Sequence, residues 1–574
     1  EILTCDWSSD VCSSDLPSLA EVIEEFKLKK SVQQMTGIVE PTHKIMGLMT
    51  AASVHAPDGQ QIILRLLNST DEDIIIKKGT VIGRYLAAEV EEQQESTSNI
   101  EMNSCQQNTT TILPDFLEQH YEKWCTHLTN KEKEELKTLL ASYQDVFSKD
   151  GFDMGRTSIV QHEIPLIGGT QPIKQKPYRY EPNQEKEIEQ QVQKLLRKDL
   201  IEPGSGAWRS PVVLARKKDG TWRFCVDYRK LNSVTQRDVY PIPRIDESLD
   251  ALGGSQWFTT LDLLTGYWQV ELSDDAREKS AFVTRSGLWQ FKVLPFGLTS
   301  APATFERLME TIFRGLQWKT LLIYLDDIII FSKDTETHRE RLTEVLRRLR
   351  KAGLKVKPSK CSLFAKEVEY LGHVVSNQGV ATDPKKAEAI REWPIPMHPR
   401  DLRAFLGTCS YYRRYVPGYA EISRPLTQQT GKYSSSNLKW TAECQKVFEE
   451  MKNILMTAPI LSYPDFEVPF ILDTDASDVG TGAVLSQLKD NLERVIAYYS
   501  KAMTQEEQNY CTTRQELLAI IKAVKHFRPY LYGRKFTVRT DHASLPWLLK
   551  NSQPRGQTAR WMEFLAEGSQ AQQC

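Results

Sequence analysis

Two carboxylates, Asp326 and Asp327, sit at the centre of "LLIYLDDIII" (residues 321–330), flanked on both sides by apolar or aromatic residues. Ile and Leu fill strands while Asp favours turns, so the segment reads as two short buried strands with the acids at a hairpin tip. Adjacent carboxylates repel, and each desolvated ion costs on the order of several kcal/mol unless something compensates it. A hard divalent cation would compensate both. A solvent-exposed Asp-Asp turn without chemistry is the plain alternative, and for an isolated hairpin it is the better one. Upstream, "FTTLDLLTGYWQVEL" leads apolar residues into Asp262. A third acid beside the pair is what two-ion nucleotidyl transfer needs.

A second acid set lies near the C-terminus. "VPFILDTDASDVGTGAVLSQ" reads as strand, acidic turn and strand, with Asp475 at the turn. "TTRQELLAIIKAVKHF" is a helix whose Leu517, Ile520, Ile521 and Val524 form a buried stripe, leaving Glu516 at its edge. "KFTVRTDHASL" ends another strand at Asp541. Each acid has a local explanation: Asp475 forms a turn, Asp541 stops a strand, and Glu516 completes a capping box begun by Thr513. For Glu516 alone the capping box is the better reading.

These acids must be positioned by several domains, because 574 residues exceed what one core organises. A net charge of −2 hides local blocks: nine Lys/Arg against four Asp/Glu over Arg197–Lys230, and ten against two over Arg339–Lys366. Basic blocks on a neutral chain suggest a localised polyanion track, although most charge runs are solvated helix faces. Ten cysteines without a CxxC pair indicate neither a disulfide framework nor a zinc ribbon, and a reducing compartment fits. No apolar run approaches the roughly 20 residues that span a bilayer, so no membrane partner is expected.

Along the chain, residues 1–16 contain "CDWSSDVCSSDL", which repeats SSD without any structural period and resembles translated adapter sequence; disorder is expected there. Residues 17–90 read as a helix plus a small β module, 91–112 as an acidic linker, and 113–165 as a helical lead-in. After Pro182 a helix carries Ile188, Val192, Leu195 and Leu196 on one face. "HRERLTEVLRRLRKAG" carries Leu342, Val345, Leu346 and Leu349 on one face and Arg on the others, with Gly353 as its stop.

"SPVVLARKKDGTWRFCVDYRKLN", "LDLLTGYWQV", "LPFGLTSAPATF", "YLDD" and "YLGHVV" occur in the order and spacing of reverse transcriptases. The set, from about Pro165 to about Glu567, resembles the pol region of gypsy-type LTR retrotransposons. The resemblance implies an α+β multidomain chain: a right-hand polymerase with fingers and palm over 166–380, thumb and connection over 381–465, a truncated RNase H-like α/β domain over 466–567, and a tail over 568–574. It implies an RNA-directed DNA polymerase that acts on an RNA template, a DNA or RNA primer, an RNA:DNA hybrid and dNTPs, with Mg²⁺, or alternatively Mn²⁺, as cofactor. An intracellular place, in a retroelement particle or the nucleus, is expected with it.

By the same resemblance Asp262, Asp326 and Asp327 are the palm metal ligands, with Asp327 closest to a supporting role. Lys218 and Arg223 grip the incoming triphosphate, a task suited to cationic side chains. Tyr267 meets the nucleotide sugar, where its ring would exclude a ribose 2′-hydroxyl, and Phe296 lies against the nucleotide. Leu371, Gly372 and His373 approach the primer terminus, and Arg347, Arg348 and Lys351 neutralise the nucleic-acid backbone. Asp475, Glu516 and Asp541 become the RNase H metal ligands. That family uses a fourth acid in an "NADALSR"-like stretch, and no such motif occurs before Cys574, so weak RNA cleavage is expected from an incomplete domain. No Asp-Ser/Thr-Gly motif occurs, and the chain reads as a middle piece of a polyprotein. Two rival readings remain: a non-catalytic nucleic-acid-binding remnant, against which the intact Asp262, Asp326 and Asp327 argue, and an RNA-making polymerase, against which Tyr267 argues.

Overall fold

The computed structural model describes residues 113–216, 220–430, 438–542 and 556–568 (side chains to 565), together with the backbone of strands within residues 2–87 and of Gln572–Gln573. The chain divides into two compact units, Glu1–Asn108 and Thr109–Cys574. The first contains a seven-stranded sheet. Two expectations are corrected there. Ile2–Thr4 and Ser13–Leu16 are strands in place of disorder, and Glu21–Leu28 is a strand in place of a helix. Val22, Phe26 and Leu28 stand at even spacing, the period of a strand, which competes with the helical reading of the same residues. The expected linker, 91–112, lies outside the described residues.

In the second unit the lead-in forms helices Asp115–Trp124 and Asn130–Ser142, the latter opened by a Thr129–Glu132 capping box. Helix α1 (Pro182–Arg197) starts on its proline and buries Ile188, Val192 and Leu195. Strands β1 (Ser210–Arg216) and β2 (Trp222–Val226) pair antiparallel at one edge of a five-stranded sheet, the expected fingers.

The next layer is a four-stranded antiparallel sheet with order β4-β5-β3-β6. It comprises β3 (Trp257–Asp262), then, after helix α2 (Ala301–Ile312), β4 (Leu321–Tyr324) and β5 (Asp327–Ser332), and, after helix α3 (Thr335–Lys351), β6 (Ser362–Ala365). Ile328 and Ile330 join one core with α2 and α3, whereas Ile329 and Phe331 join a second core with the helices that follow. Both faces are covered, which is why "LLIY…DIII" is apolar without alternation. The expected stripe of α3, Leu342, Val345, Leu346 and Leu349, is buried in the first core.

Beyond it, β7 (Glu367–Tyr370) and β8 (His373–Ser376) form a hairpin in a three-stranded sheet, with helix α4 (Pro399–Tyr411) against the second core. The C-terminal domain has β9 (Phe470–Ala476), β10 (Gly480–Lys489) and β11 (Leu492–Ala502), then helix α5 (Thr512–His526) and β12 (Phe536–Arg539). Strands β9 and β12 are parallel neighbours, so α5 serves as their crossover and buries Leu517, Ile520 and Val524 on Phe470, Leu472 and Leu485. The expected tail adds β13 (Gln572–Gln573) beside β12. Among the described residues no helix is long and apolar enough to cross a membrane.

Candidate metal centres and nucleotide cleft

The register of the palm sheet puts Asp262 of β3 directly opposite Asp327 of β5, while Tyr324 of β4 pairs with the same Asp327. Leu325 and Asp326 are therefore the two turn residues, and the three acids share one end of the sheet. Leu325 takes a left-handed φ of +57°, a conformation that costs an ordinary L-residue roughly 1–2 kcal/mol. Asp326 and Asp327 are exposed at the tip. Partial burial against the packed hairpin, followed by the charges of Asp326 and Asp262, pushes the Asp327 carboxyl up to about 6, against the pull of Lys360.

Lys360 Nζ donates to Asp262 Oδ2 at 2.8 Å. The turn that carries it is fastened to the same strand, since the Lys357 N–H donates to the Asp262 carbonyl at 2.9 Å. The hydrogen bond to Asp262 raises the Lys360 pKa, and the nearby charges of Asp326 and Asp327 add to it. An ammonium thus already pairs with one of the three acids.

A cleft of about 480 Å³ opens beside the palm, lined by Arg223, Trp222 and Cys225 of β2 together with Trp268 and Phe296. Phe296 is 53% exposed, and its ring lies 5.5 Å from that of Tyr267, which also contacts Phe305 of α2 at 5.3 Å. Arg223 and Phe296 thus line one cleft, and Tyr267 lies against Phe296. Lys218 lies outside the described residues.

The primer-contact assignment is only partly compatible with the geometry. Leu371 and Gly372 form a two-residue hairpin turn, both with positive φ, between paired Tyr370 and His373. Tyr411 donates to the Leu371 carbonyl, and Tyr412 donates to that of Gly372 at 2.7 Å. His373 departs from expectation: its side chain is buried, with Nδ1 2.8 Å from the Tyr415 hydroxyl and rings of Tyr411, Tyr412 and Tyr415 around it. Burial lowers its pKa to about 4. It supports the hairpin from inside and presents no side chain to a primer.

The basic block of α3 and of the segment after it is also largely committed to the protein itself. Arg339 pairs with Glu135, Arg350 with Asp145, and Lys355 with Asp153. Arg348 pairs with Glu344 at 2.7 Å and donates to the carbonyls of Ile312, the last residue of α2, and of Arg314 just beyond it, a structural task in place of the expected backbone contact. Arg347 is exposed but also holds Glu344 at 2.8 Å, and Lys351 is exposed without an ion pair among the described residues.

The second acid set closes more tightly. Ligand oxygens of Asp475 on β9, Glu516 on α5 and Asp541 just past β12 all lie within 4.8 Å of one another. The helix begins at Thr512 with no side-chain cap bond, so the capping-box reading of Glu516 is corrected, and Thr513 Oγ1 instead lies 3.0 Å from His542 Nε2. Glu516 is 5% exposed, and its Oε2 is buried without a hydrogen-bond partner. Burial, followed by the charges of Asp475 and Asp541, pushes its carboxyl up to about 7 despite a backbone hydrogen bond from Ala476. An orphaned buried oxygen between two carboxylates is what a small hard cation would satisfy.

Residues 215–375 match the family model "Reverse transcriptase (RNA-dependent DNA polymerase)", and residues 440–538 match "RNase H-like domain found in reverse transcriptase". The retrovirus-related Pol polyprotein from transposon 412 of Drosophila melanogaster is 33% identical over 560 residues, covering 96% of this chain and 43% of that polyprotein. The chain carries the reverse transcriptase and RNase H-like domains of retrotransposon Pol polyproteins. The Pol polyprotein from transposon 297 of the same organism is 40% identical over 446 residues, 77% of this chain and 42% of the polyprotein. The chain therefore spans less than half the length of these curated relatives. The fold agrees with that of the foamy viral protease-reverse transcriptase dRH in complex with double-stranded DNA, at TM-score 0.72 and 22% identity, covering 92% of this chain and 90% of that one. It agrees also with the foamy viral protease-reverse transcriptase in complex with RNA/DNA hybrid, at TM-score 0.68 and 20% identity, covering 94% and 76%.

Two residues packed around the palm acids carry no motif that marks them in the sequence. Lys360 lies in "KVKPSKCSLF", where it reads as one more base of the phosphate track. Glu306 lies in "APATFERLME", a helix that is otherwise buried and apolar around it, and the signal was an acid inside that apolar face.

Proposed function

We propose that this chain is an RNA-directed DNA polymerase in which Asp262, Asp326 and Asp327 hold divalent cations, Mg²⁺ in the cell with Mn²⁺ as a substitute. The observation that carries the reading is the cross-strand pair Asp262–Asp327 with Asp326 at the adjoining turn, beside a cleft that offers Arg223, Trp268 and Phe296. Cations held by these three acids would supply Lewis-acid activation of the primer 3′-hydroxyl and charge neutralisation for the departing pyrophosphate. The chain's own groups do the rest. Arg223 meets the triphosphate, Phe296 packs on the nucleotide, and the Tyr267 ring, held by Phe305, crowds the position of a ribose 2′-hydroxyl. Duplex nucleic acid is the partner that fits. The related foamy viral proteins are seen with double-stranded DNA and with RNA/DNA hybrid, and Lys351 is among the cations left exposed for phosphate.

We further propose that Asp475, Glu516 and Asp541 hold a divalent ion of an RNase H centre acting on the RNA strand of the hybrid. Primer extension on an RNA template with dNTPs and Mg²⁺ tests the main reading. Wild-type chain should extend, and Asp326→Asn should abolish extension while leaving template-primer affinity within about twofold, since affinity comes from cations rather than from the acids. Extension by Asp326→Asn would refute the site. Failure of the wild type to extend would favour the non-catalytic remnant, and preference for rNTPs over dNTPs would favour an RNA-making polymerase.

A further inference from the structure

The catalytic turn depends on a residue outside the acid triad. Leu325, the first turn residue, carries φ +57°, a conformation for which hairpins normally choose Gly or Asn. Its N–H donates to Glu306 Oε2 at 2.9 Å. Glu306 projects from α2, which packs against β4, and its side chain is fully buried. The same helix turn supplies Phe305, whose ring contacts Tyr267. Space there is tight: a Cβ added to Gly266 would come within 2.8 Å of Phe305 Cζ and 3.6 Å of Asp326 Cβ. The turn of β4–β5, the Tyr267 segment and α2 are therefore in mutual contact, and the Glu306–Leu325 bond fixes their spacing.

We propose that Glu306 is a positioning residue that holds the Leu325–Asp326 turn in its left-handed form, acting as a hydrogen-bond acceptor of fixed reach and not as a charge. Its second oxygen, Oε1, is buried with no hydrogen-bond partner, and no ion pair reaches Glu306 among the described residues. Burial pushes its carboxyl up to about 7, with Glu310 adding to the rise and the Leu325 N–H opposing it, so the neutral acid is well populated at physiological pH. A neutral carboxyl accepts from Leu325 through its carbonyl oxygen, as a carboxamide would. Asp326 is the neighbour of Leu325 in the chain, so a change of the turn moves the acid that the polymerase reading places on the ion. The inference rests on that reading.

Three substitutions separate reach from charge. Glu306→Gln keeps reach and acceptor but removes charge. Glu306→Asp keeps charge but falls a methylene short. Glu306→Ala removes both. The measurement is kcat and KM for single-nucleotide addition on an RNA template, with template-primer affinity and thermal unfolding followed on the same preparations. The expected result is that Glu306→Gln retains wild-type kcat, whereas Glu306→Asp and Glu306→Ala lose about a hundredfold in kcat, the scale of loss for an ångström-sized misplacement. KM and template-primer affinity should change little. If Ala prevents folding, the Gln and Asp variants still decide, because they differ in opposite properties. Full kcat in Glu306→Asp with loss in Glu306→Gln would show that charge is what matters and overturn the proposal, as would a fully active Glu306→Ala. An inactive wild type would instead overturn the polymerase reading and the inference with it.

Discussion

The two acid centres solve the same electrostatic problem in opposite ways. In the palm, Asp262, Asp326 and Asp327 sit at the open end of one sheet, partly exposed, with Lys360 supplying a positive charge. In the RNase H domain, Asp475, Glu516 and Asp541 converge from two strand ends and a helix, and no cation pairs with them among the described residues. There a proton relieves the repulsion only in part and increasingly as pH falls, since burial and its two neighbours push the Glu516 carboxyl up to about 7. A lysine is a soft constraint that can swing away, whereas three converging carboxylates form a cage whose occupancy depends on pH. A palm that admits a primer end and a nucleotide, as proposed above, needs that exposure. In the RNase H-like domain Asp475 and Asp541 are exposed too, and what sets that centre apart is that its three ligand oxygens lie within 4.8 Å of one another around the buried Glu516.

The largest expected effect breaks the pair apart. Asp475→Asn should remove divalent-ion binding at the RNase H centre while leaving DNA synthesis within about twofold, and Asp326→Asn should lower synthesis on the order of 10³-fold or more while leaving the RNase H ion in place. Mn²⁺ titration followed by relaxation of water protons, run beside primer extension, reads both. Coupled loss in either variant would show that the two centres are not independent.

A second effect, about tenfold per pH unit, sharpens the contrast. Binding a cation to the RNase H centre must expel the proton of Glu516, so affinity should fall about tenfold for each pH unit below about 7 and level off above it. The palm has its raised group at about 6, so its fall should begin one unit lower. The sign is the same at both centres: affinity rises with pH as the carboxyl loses its proton. Titrating Mn²⁺ between pH 5.5 and 8.5 into Asp326→Asn reports the RNase H centre, and into Asp475→Asn the palm. Coincident profiles would mean that burial of Glu516 does not matter.

The palm was largely legible in the sequence because its chemistry is local. Two adjacent acids inside an apolar run announce a hairpin tip, and register then carries Asp262 to it. The long stripe of α3 was legible for the same reason, a period repeated over several turns. Glu516 misled because Thr513 and Glu516 have capping-box spacing, yet the helix begins at Thr512, so Glu516 falls two residues beyond the capping position and is drawn across the domain by the packing of α5 on β9. Charge counting misled too. Arg339, Arg348, Arg350 and Lys355 read as a phosphate track, but their partners Glu135, Glu344, Asp145 and Asp153 come mostly from distant segments that only the fold brings near. His373 shows the same limit: nothing in "YLGHVV" reveals three tyrosines closing over it.

The smallest effect concerns the lysine that distinguishes the two centres. Lys360 is about half exposed and its partner Asp262 about one quarter exposed; pairs of that kind are worth roughly 0.2–1 kcal/mol. An incoming cation must displace the ammonium, so Lys360→Met, which keeps the aliphatic stem, should strengthen Mn²⁺ binding in the palm by about 1.4- to 5-fold. The RNase H centre should not respond. Removing the lysine also removes the group that pulls Asp327 down, so the pH at which palm affinity begins to fall should move above 6. Both shifts are read from the same titration in the Asp475→Asn background. If affinity falls instead, Lys360 serves mainly to aim the Asp262 carboxylate, through a turn already fastened to the Asp262 carbonyl by Lys357, and the palm would be a preformed cage like its counterpart.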